Sequence, residues 1–476
     1  MRAPTKLALL ASLLLPLSLR AQITFERTYG GVGPDAGYSV RQTTDGGFIT
    51  SGVIGVNVWD VYLVRVDADG ETLWTRTFGG ANEDRGTSVC QTTDGCFVVG
   101  GATWSFGADN GDVYLVKTDT LGDTLWTRRF GGRSYDQGFS VQQTFDGGYI
   151  ITGTTQSYGA GLEDVYLVKT DAQGDTMWTR TYGGSDYDYG QAASQTTDGG
   201  FIIAGATRSF GRGYDFYLVK TNPDGDPVWS RTFGGDSNDL GYEVQQTADS
   251  GYVVVGYTES FGAGRRDVYL VKTNADGETL WTHTFGGTQI DEGYSVKQTD
   301  DGGYVVAGVT KSFGAGSHDA YLVRTDANGE TLWTRTFGGA AGDGANSVQQ
   351  TSDGGYIIAG ATFSYGAGES DVWLIKTDSL GNVGVAEPRQ PQAASLQLQA
   401  RPNPCRGATT VSLKPQVTSS KPSTLRVYDA QGRLVLSQAV RASSSIFHPS
   451  SLPAGAYLVR LDAGNEHATA RLILQR

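Results

Sequence analysis

Cysteine, methionine, histidine and proline are all scarce in this chain. Among 476 residues there are 3 Cys, 2 Met, 4 His and 13 Pro. So few cysteines exclude a disulfide-stapled scaffold and a Cys/His zinc module. The histidines, His283, His318, His448 and His467, stand alone, and neither H-E-x-x-H nor G-x-S-x-G occurs. No catalytic residue, metal ligand or cofactor is therefore assigned from motifs. Charge is sparse as well, at 18% of residues with a net −13. A surplus of acid gives no general attraction to nucleic acid or to anionic lipid. Beyond the N-terminus, no apolar run approaches the ~20 residues that a helix needs to cross a bilayer. Helical periodicity is missing throughout.

Glycine and aromatics are abundant: 68 Gly, 24 Tyr, 18 Phe and 9 Trp. Interleaved with β-branched residues, they point to many short strands joined by tight turns. The first residues, MRAPTKLALLASLLLPLSLRAQ, place Arg2 and Lys6 before an apolar stretch and end on a small residue. That reads as a secretory signal peptide, 1–21, cleaved after Ala21. No Cys follows the apolar stretch, so lipid attachment is not indicated there.

One sentence recurs along the chain. Trp stands at 74, 126, 178, 229, 281 and 333, and Phe25 fills the same slot in a first copy. A period near 50 over seven copies is the signature of a propeller or solenoid. Each copy holds four strand-like runs, as in GFSVQQT, YIITGTT, DVYLVKT and TMWTRTY of residues 138–182. The second and third runs are apolar at both parities, so both their faces should be covered, while the fourth should lie nearer solvent. Blades packed around an axis have that profile, whereas a two-layer sandwich exposes one parity of every strand. The region opens on a lone outer-type run, ITFERTY, and closes on DVWLIKT with no outer run after it. The expected fold is all-β: a seven-bladed β-propeller over 22–382 with four-stranded blades, the N-terminal strand completing the last.

The repeated D-x-Y-L-V-K-T-D-x-x-G-x-x-x-W-x-x-x-F-G-G, followed by D-x-G and D-G-G-Y, resembles the seven-bladed propeller repeat of bacterial secreted proteins. Residues 383–399 read as a linker. Residues 400–476, with short alternating strands and turns at AQG and DAGN, suggest a small Ig-like β-sandwich. This segment resembles the C-terminal sorting domain of the type IX secretion system. The matching residues are Pro402-Asn403-Pro404, Val427-Tyr428-Asp429, Gly432-Arg433, Leu452-Pro453-Ala454, Gly455, Tyr457 and the basic Arg476. Cys405 departs from the Phe more usual in the family. The resemblance implies transit through the periplasm, the type IX machinery as a partner, and a protein released outside or attached to the outer cell surface.

Four acidic series recur. Asp35, Asp84, Asp136, Asp188, Asp239, Asp291 and Asp343 precede the innermost strand, and Asp60, Asp112, Asp164, Asp215, Asp267, Asp319 and Asp371 begin the third. Both should lie on one face of the disc, either as an acidic, calcium-binding surface or as acceptors for their own Gly-rich loops. Sevenfold identity favours the loop role. The D-G-G and D-x-x-G turns should occupy the other face. Nothing marks one Asp or Glu apart from its copies. Loops between second and third strands do differ: Trp104, Asp109, Asn110, Arg212, Tyr214, Arg265 and Arg266 break the symmetry. They are the candidate ligand-binding residues, since specificity resides in variable loops on a rigid scaffold; drift would explain them too. Cys90 and Cys96 fall in one hairpin where most copies carry Gln and Gly. Outside the cytoplasm they would either bridge the turn or stay unrelated thiols. The expected role is that of a monomeric, non-enzymatic module binding or adhering to glycan or surface protein. An extracellular polymer-degrading enzyme and a surface-layer component are the alternatives.

Overall fold

A computed structural model describes residues 22–107 and 110–384, and beyond them the strands between residues 397 and 474 with some adjoining turns. The signal segment 1–21, Asp109, and Pro402, Asn403 and Pro404 lie outside the described residues. The chain divides into two compact units at Gly384/Val385.

The first unit is a ring of seven four-stranded antiparallel sheets. In the third blade, Asp136–Gln143 is innermost, followed outward by Tyr149–Thr155, Asp164–Thr170 and Thr176–Tyr182. The two middle strands are wholly buried and the outer one is largely exposed, as their sequences require. Each innermost strand carries a bulge after the residue that faces the second strand's glycine, between Gly138 and Ser140 in this blade. Glycine is demanded there: a Cβ on Gly153, opposite Gly138, would sit 1.8 Å from the Gln137 carbonyl oxygen.

The blades lean on one another through aromatic contacts. Trp74 meets Phe97 of the next blade edge-on at 5.8 Å, and the same pair recurs at Trp126/Tyr149, Trp178/Phe201, Trp229/Tyr252, Trp281/Tyr304 and Trp333/Tyr356. Phe25/Phe48 completes the circle. Each contact contributes about 0.5–1.5 kcal/mol beyond area burial. Closure takes the expected form: Phe25–Tyr29 pairs antiparallel with the strand Asp371–Thr377, Phe25 opposite Lys376 and Tyr29 opposite Val372.

Two further sevenfold devices hold the ring. The Asp of each D-G-G turn pairs with the buried Lys or Arg of the third strand, from Asp45–Arg65 through Asp353–Lys376, at 2.5–3.0 Å. A Gln at the end of each innermost strand accepts a backbone N–H from the preceding blade's turn, at 2.7–2.9 Å in all seven junctions.

Cys90 and Cys96 are free thiols, so the bridge across the turn is not formed. Cys90 pairs with Val98, while Thr92 N–H bonds the Cys96 carbonyl, which sets the two cysteines diagonally across the hairpin. Diagonal neighbours lie about 7–8 Å apart, beyond the reach of about 4.4–6.8 Å that a disulfide allows.

The second unit has a three-stranded sheet of Gln397–Arg401, Thr409–Lys414 and Ser444–Phe447. Its four-stranded sheet comprises Leu434–Val440, Ser423–Tyr428, Gly455–Ala463 and Glu466–Leu474. Gly455 starts a strand whose Tyr457 is buried and donates its hydroxyl to the Pro453 carbonyl at 2.8 Å. Asp429 accepts from the Arg433 backbone N–H at 2.9 Å and from its Nε at 2.8 Å.

Candidate functional site

Both loop-face Asp series lie where the sequence places them. At every blade junction the two carboxylates come together beside a glycine, as Asp112 and Asp136 do beside Gly131. The innermost-strand Asp accepts the N–H of the second Gly of G-G at 2.6–2.9 Å in all seven blades. From the second blade onward it also accepts a Ser hydroxyl at 2.6–2.7 Å. These carboxylates therefore organise their own loops. Burial, and then the neighbouring Asp of the pair, raises the pKa of Asp60 and Asp215. Among the described residues no group of three or more His, Cys, Asp or Glu is arranged to hold a metal ion.

The first blade departs from the others. Its second-to-third strand loop is only residues 56–58, against 104–111 in the second blade and 156–163 in the third. Its third-strand Asp60 has a buried Oδ1 that meets no donor among the described residues. A cavity of about 390 Å³ lies at this place, lined by Val58, Asn82, Glu83 and Trp104. Trp104 is held firmly. Its N–H bonds the Glu83 carbonyl at 2.9 Å, and its carbonyl accepts from Asn82 Nδ2 at 2.9 Å. The indole lies 6.0 Å from the Tyr135 ring, and any Cβ on Gly111 would collide with it. Arg85 sits between two indoles, 4.9 Å from Trp59 and 5.5 Å from Trp104, and its guanidinium pairs with Glu83 at 3.0 Å.

The other symmetry-breaking residues fall in separate places. Asn110 donates to the Arg133 carbonyl at 3.2 Å. Tyr214 stacks on Tyr189 at 5.7 Å, with Arg208 over its ring. Arg212 is exposed and loosely paired with Asp236 at 3.8 Å; Arg265 is exposed. Arg266 bridges Glu259 at 2.8 Å and Glu292 at 2.6 Å while covering Tyr257. The six candidates among the described residues thus do not converge on one site. Val58, Trp59, Asn82, Glu83 and Arg85 were missed. The signal that could have found them is the shortened first-blade loop, facing the one copy that reads N-E-D-R after its G-G-A.

Glu243, like Glu83, is a carboxylate that stands apart from its copies, contrary to the sequence expectation. Glu243 occupies a slot that is Ser or Ala in every other blade, and it lines an axial cavity of about 100 Å³. Burial pushes its carboxyl up, but the partner Lys297, Ser295 and Arg41 together hold it below its usual range. Its other oxygen accepts the Val296 N–H at 2.8 Å, so it also acts as a clasp between blades. No second carboxylate is among the described residues lining this cavity.

Residues 400–475 match the family described as the secretion system C-terminal sorting domain. The second unit is a type IX sorting domain. The chain is accordingly a secreted protein, bound for attachment at the cell surface or for release. The chain is 25% identical to the regulatory protein FlaEY of Caulobacter vibrioides over 31% of its own length, a match that spans only 18% of that relative's length. Among solved structures, it is similar to the extracellular domain of the one-component system BT4673 of B. thetaiotaomicron, at TM-score 0.42 and 12% identity. That match covers 94% of this chain and 60% of the other. Another is PorZ of Porphyromonas gingivalis, a surface component of the type IX secretion system, at TM-score 0.35, 10% identity, and 89% and 65% coverage. A third is the periplasmic gluconolactonase of Pseudomonas aeruginosa, at TM-score 0.43, 11% identity, and 64% and 85% coverage.

Proposed function

We propose that this secreted propeller is a non-enzymatic binding module that holds an extracellular polymer on its loop face. The reading is carried by where the seven copies diverge. The strands, the turn-face ion pairs and the Gln clasps repeat from blade to blade, while Trp59, Trp104, Tyr135, Tyr189 and Tyr214 with Arg85 and Arg208 differentiate one face. Aromatic rings held by Arg are adhesive surface, offering large contact area at little cost in side-chain entropy. Hydrolysis of a glycoside would ordinarily need two carboxyl groups facing one bond. The axial cavity offers Glu243 alone, already engaged by Lys297.

The protein acts as a monomer outside the cell, with the sorting domain serving export rather than binding. A screen of the mature chain against immobilised glycans and outer-surface proteins tests this, with product analysis of every glycan bound. Saturable retention without cleavage is expected. Chain scission of a retained polymer would replace the reading with an enzymatic one.

A further inference from the structure

We propose that the cleft between the first and second blades is a binding site for a neutral pyranose unit of a glycan, stacked on Trp104; this rests on the binding reading above. The cleft's second-blade residues Asn82, Glu83, Arg85 and Trp104 occupy slots that hold other residue types in every other copy, and its mouth opens where the first blade omits the long loop. At about 390 Å³ it lies within the range of small-molecule pockets, about 300–1,000 Å³.

Its chemistry selects the ligand. A pyranose presents an apolar C–H face and a rim of hydroxyl groups that both donate and accept. The Trp104 indole and the 40% exposed Val58 supply apolar walls, and the Asn82 amide and Glu83 carboxylate stand beside them as hydrogen-bonding groups. Arg85 neutralises Glu83 and is itself sandwiched by indoles, so the lining carries no net charge. A uronate or an amine would meet no unpaired opposite charge there. Buried Arg85 Nε has no acceptor among the described residues. Trp104 is fixed by its backbone bonds and by Tyr135, so little ordering is needed when a ring docks.

The test is calorimetric titration of the mature protein with hexaoses of β-1,4-linked glucose, mannose and N-acetylglucosamine. Polygalacturonate and an outer-surface protein extract serve as the other arms. At least one neutral hexaose should bind saturably. Trp104→Ala should weaken it about tenfold or more, Asn82→Ala and Glu83→Gln several-fold, and Leu121→Ala on the opposite face not at all. Melting curves check folding; if Trp104→Ala fails to fold, Trp104→Phe with Asn82→Ala carries the comparison. Neutral-glycan binding indifferent to these changes would overturn the site. Binding of polygalacturonate or protein alone would overturn the ligand class and leave the binding reading standing. If nothing binds in any arm, both fall.

Discussion

Gln42 accepts the backbone N–H of Ser352 at 2.8 Å, across 310 residues of sequence. It is the same bond that Gln91 makes to Thr44 and Gln143 to Thr93, so the seam of the ring is built like its other junctions. The pairing of Phe25–Tyr29 with Asp371–Thr377, from opposite ends of the propeller sequence, is peculiar to the seam.

Removing residues 22–30 should therefore destabilise the propeller far more than trimming an ordinary terminus. The deletion takes away five backbone pairs, the Gln22 bonds to Asp353 and Ser379, and the Phe25/Phe48 contact. It also uncovers a buried strand edge, an invitation to aggregate. A melting temperature equal to that of the intact protein would show that the seam is closed some other way. Gln42→Ala should cost about 1 kcal/mol, the usual worth of one such bond.

Ser250 offers a gain. It sits at φ +68° where the equivalent turns place Gly46, Gly95, Gly147, Gly199, Gly302 and Gly354 at φ +82° to +87°. A side chain in this region costs about 1–2 kcal/mol, part of which is returned because glycine also loosens the unfolded chain. Ser250→Gly should raise the melting temperature measurably, with no change in ligand binding on the opposite face.

Acidity should act on the two faces in opposite senses. Burial and the neighbouring carboxylate hold Asp60 and Asp215 above their usual range, so their protonation as pH falls favours the folded ring. Asp146 runs the other way. Burial alone would raise it, but Lys169, Thr144 and Gly148 bring it down to about 2. Its contribution is complete above the ordinary carboxylate range and is lost as pH falls through that folded value. Asp146→Asn should melt well below wild type at neutral pH, and the two melting curves should converge near pH 2. A gap that stayed constant with pH would show that the pair with Lys169 carries no stabilising charge.

Deleting residues 385–476 should leave the propeller unexported across the outer membrane. Fractionation should find it in the periplasm, and continued appearance in the medium would contradict a sorting role for this segment.

The ring was legible because its determinants are periodic. The Trp spacing, the doubly apolar second and third strands and the unpaired ITFERTY each state the fold locally, and the structure agrees at every blade. The acidic series were legible for the same reason, since seven identical Asp residues in Gly-rich loops announce loop chemistry. The cleft was not. Val58, Asn82 and Trp104 come from three separate loops on two blades, and each alone looks like drift. Only packing of neighbouring blades brings them together. Glu243 escaped notice likewise, because its meaning lies in facing Lys297, 54 residues away. The Cys90–Cys96 bridge failed on register: proximity in a hairpin does not specify which residues are directly opposite.

The seam has a consequence for biogenesis. The strand at Phe25–Tyr29 leaves the ribosome among the earliest, yet its mate is not made until Asp371–Thr377 follows. Until then it must wait uncommitted, and a product that stops short anywhere in between leaves it an orphan. Completion of synthesis is thereby written into the architecture as a condition for a finished disc.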